Sequence, residues 1–149
     1  MRLLLLWVLP LLLVAEMLKV GDAITPMVIN DQFDKPHGVG NEKLWVITWD
    51  RGTTRLANTF FDSHKKLLTD GTAALIVDVS QTPEGIMSLF VLPRMRSYEH
   101  RILLGYDAEA NRRFPYKDGS VTVLTLKDGV ITAVGFAEAV EQLEQLLQP

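Results

Sequence analysis

The sequence contains no cysteine among its 149 residues. That single absence excludes disulfide bonds, thiolate nucleophiles, cysteine-ligated zinc and thiol redox chemistry. Thiol-dependent oxidoreductases and proteins with cysteine-ligated zinc are therefore excluded as functional classes.

The histidines and glycines of the sequence do not form the motifs that bind metals or nucleotides. His37, His64 and His100 are the only histidines, and no two of them have HxH or HxxxH spacing. The glycine pair Gly38 and Gly40 precedes an apolar run instead of following one, which argues against a dinucleotide or phosphate loop. We therefore expect neither a metal nor an organic cofactor.

Positive charge is not in excess either. Fifteen Lys and Arg residues stand against 18 Asp and Glu residues, giving a formal net charge of -3. Such a chain has no global attraction to phosphate, so nucleic acid is not an expected partner. Hydrophobic residues at 48% and charged residues at 22% are typical of one globular domain.

The N-terminus has an apolar run, at positions 3–15 after Met1 and Arg2, that is too short to span a bilayer. A signal peptide over residues 1–15, cleaved near Ala15, fits this length, and it predicts an exported protein, periplasmic or secreted. An uncleaved N-terminal anchor is the alternative. If the segment is cleaved instead, the protein contacts the membrane only through this segment and only during export.

Two continuous apolar runs, at 44–49 and 73–79, are typical of strands buried on both faces. Between them, apolar positions recur at helical spacing. The pattern predicts a helix that starts after Asp50, with Thr53 or Thr54 as a cap, and ends near Gly71. Residues 21–40 are rich in turn formers and predict a loop with one short edge strand at 27–29.

The second half predicts a helix after Thr82 that ends at or before Pro93, then a third strand at 101–106 and a polar loop at 107–118. Strands at 121–126 and 130–134 are joined by Lys127-Asp128-Gly129, a strong hairpin signal. An amphipathic helix follows from Phe136. The order predicts an α/β fold with a mixed sheet, in which parallel strands are followed by a terminal antiparallel hairpin, and with helices on both faces.

The order and spacing of these segments resemble the thioredoxin-like fold, in particular its exported thioredoxin-like and peroxiredoxin-like proteins. The resemblance is carried by four stretches of sequence, which are KVGDAITPMVINDQFDKP, LWVITWD, AALIVDVS and the closing region from RILLGYD through RRFPYKDGSVTVLTLKDGVITAVGF to EQLEQLL. It implies that residues 16–149 form one thioredoxin-like domain.

The resemblance also places the family's Trp-Cys-x-x-Cys motif at the start of the first long helix. Trp49 matches the tryptophan, whereas Asp50 and Thr53 stand at the two cysteine positions. The family's disulfide chemistry therefore does not transfer, because it needs a sulfur nucleophile. Pro115 is the match for the cis-proline that faces the motif, with Pro93 as its rival.

The candidate binding residues surround this strand-to-helix junction, and they are Trp49, Asp50, Arg51, Thr53, Thr54, Arg55 and Pro115. Each has a purely structural interpretation as well. Asp50 and the threonines are typical helix caps, and a threonine nucleophile would need a neighbouring base that the sequence does not show. Two basic stretches, at 94–96 and at 112–117, could hold an anion or be solvated loops.

Three functions are compatible with these features. The favoured one is a redox-inactive exported domain that binds a protein or peptide through the strand-helix loop and the Pro115 loop, since such a groove can take an extended peptide. The second is a small non-redox enzyme with Asp50 as acid or base and Arg112 or Arg113 holding an anionic substrate. The third is a purely structural exported domain.

Overall fold

A computed structural model describes residues 16–148, and its centre is a five-stranded sheet with strand order β5-β4-β3-β6-β7. The strands are β3 (Leu44–Thr48), β4 (Ala73–Asp78), β5 (Leu103–Gly105), β6 (Val121–Lys127) and β7 (Val130–Ala137). β3, β4 and β5 are parallel, and β6 and β7 are antiparallel to their neighbours. The predicted mixed sheet is confirmed. The predicted segment 1–15 lies outside the described residues, among which no helix is long and apolar enough to cross a bilayer.

The central strands are buried on both faces because their sequences are apolar at every position. All five residues of β3 are buried, and so are the first five of β4. Alternate side chains enter two different cores: Leu44 and Val46 point to one face, and Trp45 and Ile47 to the other.

The first face is covered by helices. They are α1 (Arg51–Asp62), α2 (Lys65–Thr69), a π-helical segment (Met87–Val91), α4 (Leu92–Met95) and α6 (Val140–Leu146). A short helix, α3 (Glu84–Ile86), precedes the π-helical segment and has no buried residue. The continuous helix predicted up to Gly71 is wrong, because the chain breaks at Ser63 and His64. The His64 ring stacks on Phe60 at 4.1 Å and its Nδ1 lies 2.9 Å from the Phe60 carbonyl, which ends α1 locally.

The second face is covered by Leu18 and Ile24 of the N-terminal segment, by Phe114, which follows the short helix α5 (Ala108–Arg112), and by a separate hairpin. The hairpin consists of β1 (Met27–Asn30) and β2 (Pro36–Val39). The predicted edge strand is confirmed, but β2 and α5 were predicted as loop.

The side chain of Asp31 explains why the β1–β2 turn forms in a region of turn-forming residues. It accepts hydrogen bonds from the N–H groups of Phe33 and Lys35 and lies 2.7 Å from His37. Burial works to raise the pKa of Asp31, but these hydrogen bonds outweigh it and hold the pKa below the ordinary value of 3.8.

The helical stretch from α3 through α4, here called the 84–95 helix, does not end before Pro93 as predicted. Its middle is π-helical, so that the Leu92 N–H donates to the Met87 carbonyl five residues back. Pro93 therefore falls in the first turn of α4, where no N–H is required. The wider turn accommodates a proline that a regular α-helix would reject.

The C-terminal hairpin is confirmed, with Asp128 and Gly129 both at positive φ (51° and 77°), as a tight turn between twisted strands requires. The helix predicted from Phe136 is wrong at its start, because Phe136 pairs with Thr122 inside the sheet and α6 begins at Val140. The side-chain periodicity of a helix thus extended by chance into the preceding strand.

Candidate functional site

The junction between β3 and α1 is closed by a capping box. Asp50 is the N-cap residue: its Oδ1 accepts from the Thr53 N–H at 2.8 Å, and Thr53 Oγ1 accepts from the Asp50 N–H at 3.1 Å and the Trp49 N–H at 2.9 Å. The prediction of a threonine cap is wrong, and the structural interpretation of Asp50 fits the geometry. Thr53 is buried, and among the described residues its hydroxyl hydrogen-bonds only to Asp50 and to the Trp49 N–H.

Thr54 points inward as well. Its hydroxyl shares a 2.8 Å hydrogen bond with the hydroxyl of Thr48, at the end of β3. Thr53 Oγ1 lies 3.0 Å from Asp50 Oδ1, but that oxygen already accepts from the Thr53 N–H within the capping box. Among the described residues, the hydroxyl of Thr54 has only the Thr48 hydroxyl as a hydrogen-bond partner. The two threonines therefore build the junction instead of offering a nucleophile.

Trp49 connects the junction to the Pro115 loop. Its Nε1 donates to Thr122 Oγ1 at 3.0 Å, and the Thr122 hydroxyl donates to the Pro115 carbonyl at 2.7 Å. The indole also packs edge-to-face against Tyr116, with ring centroids 5.3 Å apart. The two loops that the sequence analysis singled out separately are thus in contact.

The cis-proline prediction is wrong for both candidates, because residues 16–148 contain no cis peptide bond. Pro93 lies inside the 84–95 helix. Pro115 is separated from β6 by a turn in which Gly119 has a φ of 71° and the Ser120 N–H donates to the Lys117 carbonyl. The bond before Pro115 is trans, which is the more stable form of an X-Pro amide.

Beside the junction lies a groove of about 720 Å³, here called the junction groove. One wall is a single face of α1, formed at helical spacing by Arg51, Thr54, Arg55 and Asn58, with Trp49 and Asp50 at its end. The other wall belongs mainly to the 84–95 helix, and it is formed by Ile86, Phe90, Val91, Arg94, Met95 and Tyr98. Five predicted residues, Trp49, Asp50, Arg51, Thr54 and Arg55, line this groove, whereas Thr53 and Pro115 only support it.

The basic side chains of the groove have no ion-pair partner among the described residues, whereas its acidic side chains are hydrogen-bonded. Arg51, Arg55 and Arg94 are exposed, and none forms an ion pair with any residue of 16–148. The acids are already held by protein hydrogen bonds: Asp50 through the capping box, and Asp78 by Ser80 and Asn111. The unengaged charge of the groove is therefore positive.

The two basic stretches noted in the sequence do not meet here. Arg94 lines the groove, but Arg96 Nε donates to the Gln32 carbonyl and fixes the β1–β2 turn. Arg112 and Arg113 do not line it, and Arg113 Nε donates to the Glu16 carbonyl.

Tyr116 borders the junction with a perturbed phenol. Its hydroxyl donates to Asp118 at 3.1 Å, and this hydrogen bond, with burial and the charges of Asp118 and Asp50, raises the pKa of Tyr116 above 10. The group therefore stays a neutral donor at physiological pH.

Sequence reasoning missed Asn58 and, apart from Arg94 in the basic stretch 94–96, the residues of the second wall. Ile86, Phe90 and Val91 were placed on the helix predicted after Thr82, with no role assigned to them. Nothing in the pattern distinguishes a face that packs on a sheet from one that faces a groove.

Comparison of the whole fold with solved structures identifies its class. It is similar to StoA from Bacillus subtilis (TM-score 0.58, 11% identity, 85% of this chain and 100% of that chain) and to the peroxidoxin BcpB from Mycobacterium tuberculosis (0.57, 16%, 89% and 95%). A thio-disulfide isomerase from Thermus thermophilus matches with TM-score 0.54 at 19% identity, over 87% and 95% of the two chains. The fold is thioredoxin-like.

No family model and no curated protein sequence matches the chain. The thioredoxin-like neighbours bear the names of thiol oxidoreductases, whereas this thioredoxin-like chain has Asp50 and Thr53 at its junction and no cysteine anywhere.

Proposed function

We propose that this protein is an exported, redox-inactive thioredoxin-like domain that binds a protein or peptide partner in the junction groove and along the Pro115 loop. The observation that carries the proposal is the apolar wall of the groove. Phe90 is 65% exposed and Ile86 46% exposed, and both line a concave surface instead of being scattered singly. Concave apolar surfaces with polar groups at their edges are where proteins bind ligands and partners.

The Pro115 loop extends the binding surface at one end. Tyr116 is half-exposed and its ring is held against Trp49, so a rigid aromatic pair stands beside the groove. Aromatic side chains of this kind contribute much of the energy at protein interfaces because little conformational entropy is lost when they are covered.

Redox inactivity follows from chemistry. Disulfide exchange proceeds by thiolate attack on sulfur, and neither the carboxylate of Asp50 nor the hydroxyl of Thr53 can replace the thiolate. Purified protein is expected not to accelerate insulin reduction by dithiothreitol and not to consume peroxide with a thiol donor. Turnover above the buffer blank, with contaminants removed, would refute this part of the proposal.

Acid or base catalysis by Asp50 has less support. Its Oδ1 is already bound to the Thr53 N–H, and neither Arg112 nor Arg113, the arginines expected to hold a substrate, lines the groove. A carboxylate held in one position by a helix cap suits structure better than proton transfer.

Binding is tested by selecting peptides from a displayed random library against immobilised protein. Peptides selected on the wild type should lose most of their affinity for Phe90→Ser and Tyr116→Ala. The matched control is Phe33→Ser, because Phe33 is 51% exposed but does not line the groove. A library that yields no binder, or binders that respond to Phe33→Ser as strongly as to Phe90→Ser, would refute the proposal.

A further inference from the structure

Asn58 is the most unusual polar residue of the junction groove. It is only 2% exposed, and its Oδ1 lies 2.8 Å from Nε2 of the buried His100. An amide oxygen only accepts, so this orientation of the Asn58 amide goes with a proton on His100 Nε2. Nδ1 of the same ring lies 3.6 Å from Asp62 Oδ1. With its oxygen on His100, the Asn58 amide leaves its nitrogen for other partners.

That nitrogen has no hydrogen-bond partner among residues 16–148. Unlike Trp45 Nε1 and His100 Nδ1, which are buried without a partner, this nitrogen is not sealed from solvent, so its N–H groups can donate to water or to a ligand. Asn58 therefore adds N–H donors to the α1 wall of the groove.

The three unpaired arginines present donors to the same space. Arg51 and Arg55 lie on the same face of α1 as Asn58, and Arg94 projects from the opposite wall. Each guanidinium carries five N–H groups in a planar fork that matches a carboxylate. Arginine and amide donors thus outnumber the carboxylates of Asp50 and Asp78, which protein hydrogen bonds already hold, and Ile86 and Phe90 add an apolar surface.

We propose that the junction groove binds an acidic peptide segment, with its carboxylates on Arg51, Arg55 and Arg94, an acceptor on the Asn58 amide, and an apolar side chain of the same segment against Ile86 and Phe90. This rests on the proposed function and names the chemical class of the partner. A fatty acid would offer the same two chemistries, but it has a single carboxylate, whereas the donors come from both walls of the groove. A peptide supplies acceptors at several points through its backbone and side chains.

The test uses capped synthetic peptides that differ only in charge. Each carries a Phe-Leu pair in a Gly-Ser background, flanked by glutamates, glutamines or lysines, and dodecanoate is the fatty-acid probe. Affinities are measured by calorimetry with protein that begins at Glu16. The glutamate peptide should bind about tenfold more tightly than the glutamine peptide, this advantage should shrink with added salt, and the lysine peptide should bind least.

Substitutions in the groove test which side chains bind the carboxylates of the peptide. Arg55→Gln and Arg94→Gln should each weaken the glutamate peptide severalfold and leave the glutamine peptide unchanged, whereas the exposed Arg112→Gln, outside the groove, should alter neither. Asn58→Asp keeps the acceptor for His100 and replaces the donor by an acceptor, so it should weaken the glutamate peptide most. If Asn58→Asp fails to fold, the arginine variants alone decide.

The amide orientation has its own readout. The ¹⁵N chemical shifts of His100 should show the Nε2–H tautomer, and an Nδ1–H tautomer would turn the Asn58 amide round and overturn its assigned role. Equal affinity for the glutamate and glutamine peptides, or binding of dodecanoate in place of the peptide, would overturn the proposal. If displayed peptides then still depend on Phe90, the proposed partner binding stands and only the acidic class is wrong.

Discussion

Trp49 and Thr122 are joined by a 3.0 Å hydrogen bond from the indole Nε1 to the threonine hydroxyl, and the same hydroxyl donates onward to the Pro115 carbonyl at 2.7 Å. Thr122 is completely buried in the strand β6 next to β3. One hydroxyl therefore satisfies a donor of the strand-helix junction and an acceptor of the Pro115 loop, and it holds the two in contact.

Thr122→Val should release that contact. Valine has the same shape but neither donates nor accepts, so the Trp49 indole and the Pro115 carbonyl both lose their partner. The free energy of unfolding should fall by about 1–2 kcal/mol, as measured by urea denaturation. Peptides selected on the wild type should also bind more weakly, because Tyr116 is no longer held against Trp49.

The control is Thr125→Val on the same strand, since the hydroxyl of Thr125 makes no hydrogen bond with the described residues. It should change stability by less than Thr122→Val and leave peptide affinity unaltered. If the two valine variants behave alike, the hydrogen bonds of Thr122 do not couple the loops.

His100 makes the stability of the fold depend on pH. Burial lowers the pKa of this imidazole below 6.5, against the attraction of Asp62 and with some help from the charge of Lys65. Above about pH 6.5 the imidazole is neutral in both the folded and the unfolded state, so it does not make the free energy of unfolding depend on pH there. Below that pH the unfolded state takes up the proton first, and stability is lost as the pH falls further toward the folded pKa.

The difference in unfolding free energy between wild type and His100→Gln isolates this contribution. It should be largest above pH 6.5 and shrink steadily between pH 6.5 and 5. Asp31, whose pKa is also lowered, loses its contribution only below about 3.8 and so does not interfere. A difference that stays constant from pH 7.5 to 5 would contradict the assigned burial of a neutral His100.

The sheet was predictable because its signals are local. The apolar runs of β3 and β4 leave no polar face, which requires burial on both sides, and Asp128-Gly129 specifies its turn through backbone conformations that few residues adopt. From these, a mixed sheet with a terminal hairpin follows almost directly.

The groove was not predictable, because its features depend on tertiary contacts. The amide nitrogen of Asn58 is left as a donor because His100, 42 residues away, occupies the amide oxygen. Pro93 lies inside a helix where a π-helical turn precedes it, and the bond before Pro115 is trans. Each of these outcomes is a choice between local conformations that sequence pattern alone leaves nearly equal.

Export is tested by the mass of the mature protein. The apolar run at 3–15 is too short to span a bilayer and ends in a small residue before Glu16. Protein isolated from the exported fraction of its native host should lack about 15 residues by intact-mass spectrometry. A full-length product in the cytosol would contradict export, and a full-length product in the membrane fraction would favour the uncleaved anchor.

Asp50 and Thr53 should accept a disulfide when both are changed to cysteine. Their side chains already touch, with Asp50 Oδ1 and Thr53 Oγ1 3.0 Å apart at the start of α1. Asp50→Cys/Thr53→Cys should therefore form an intramolecular disulfide under mild oxidation, detected by loss of two free thiols without a change in oligomer size. In the reduced protein, one thiol should titrate below about 8.5 because the helix N-terminus stabilises a thiolate.

The matched control is Thr59→Cys/Asp62→Cys, which has the same spacing at the opposite end of α1, where the helix dipole should favour the neutral thiol. If the first pair stays reduced, or if its thiols titrate like those of the control pair, the junction does not have the geometry that its thioredoxin-like fold implies.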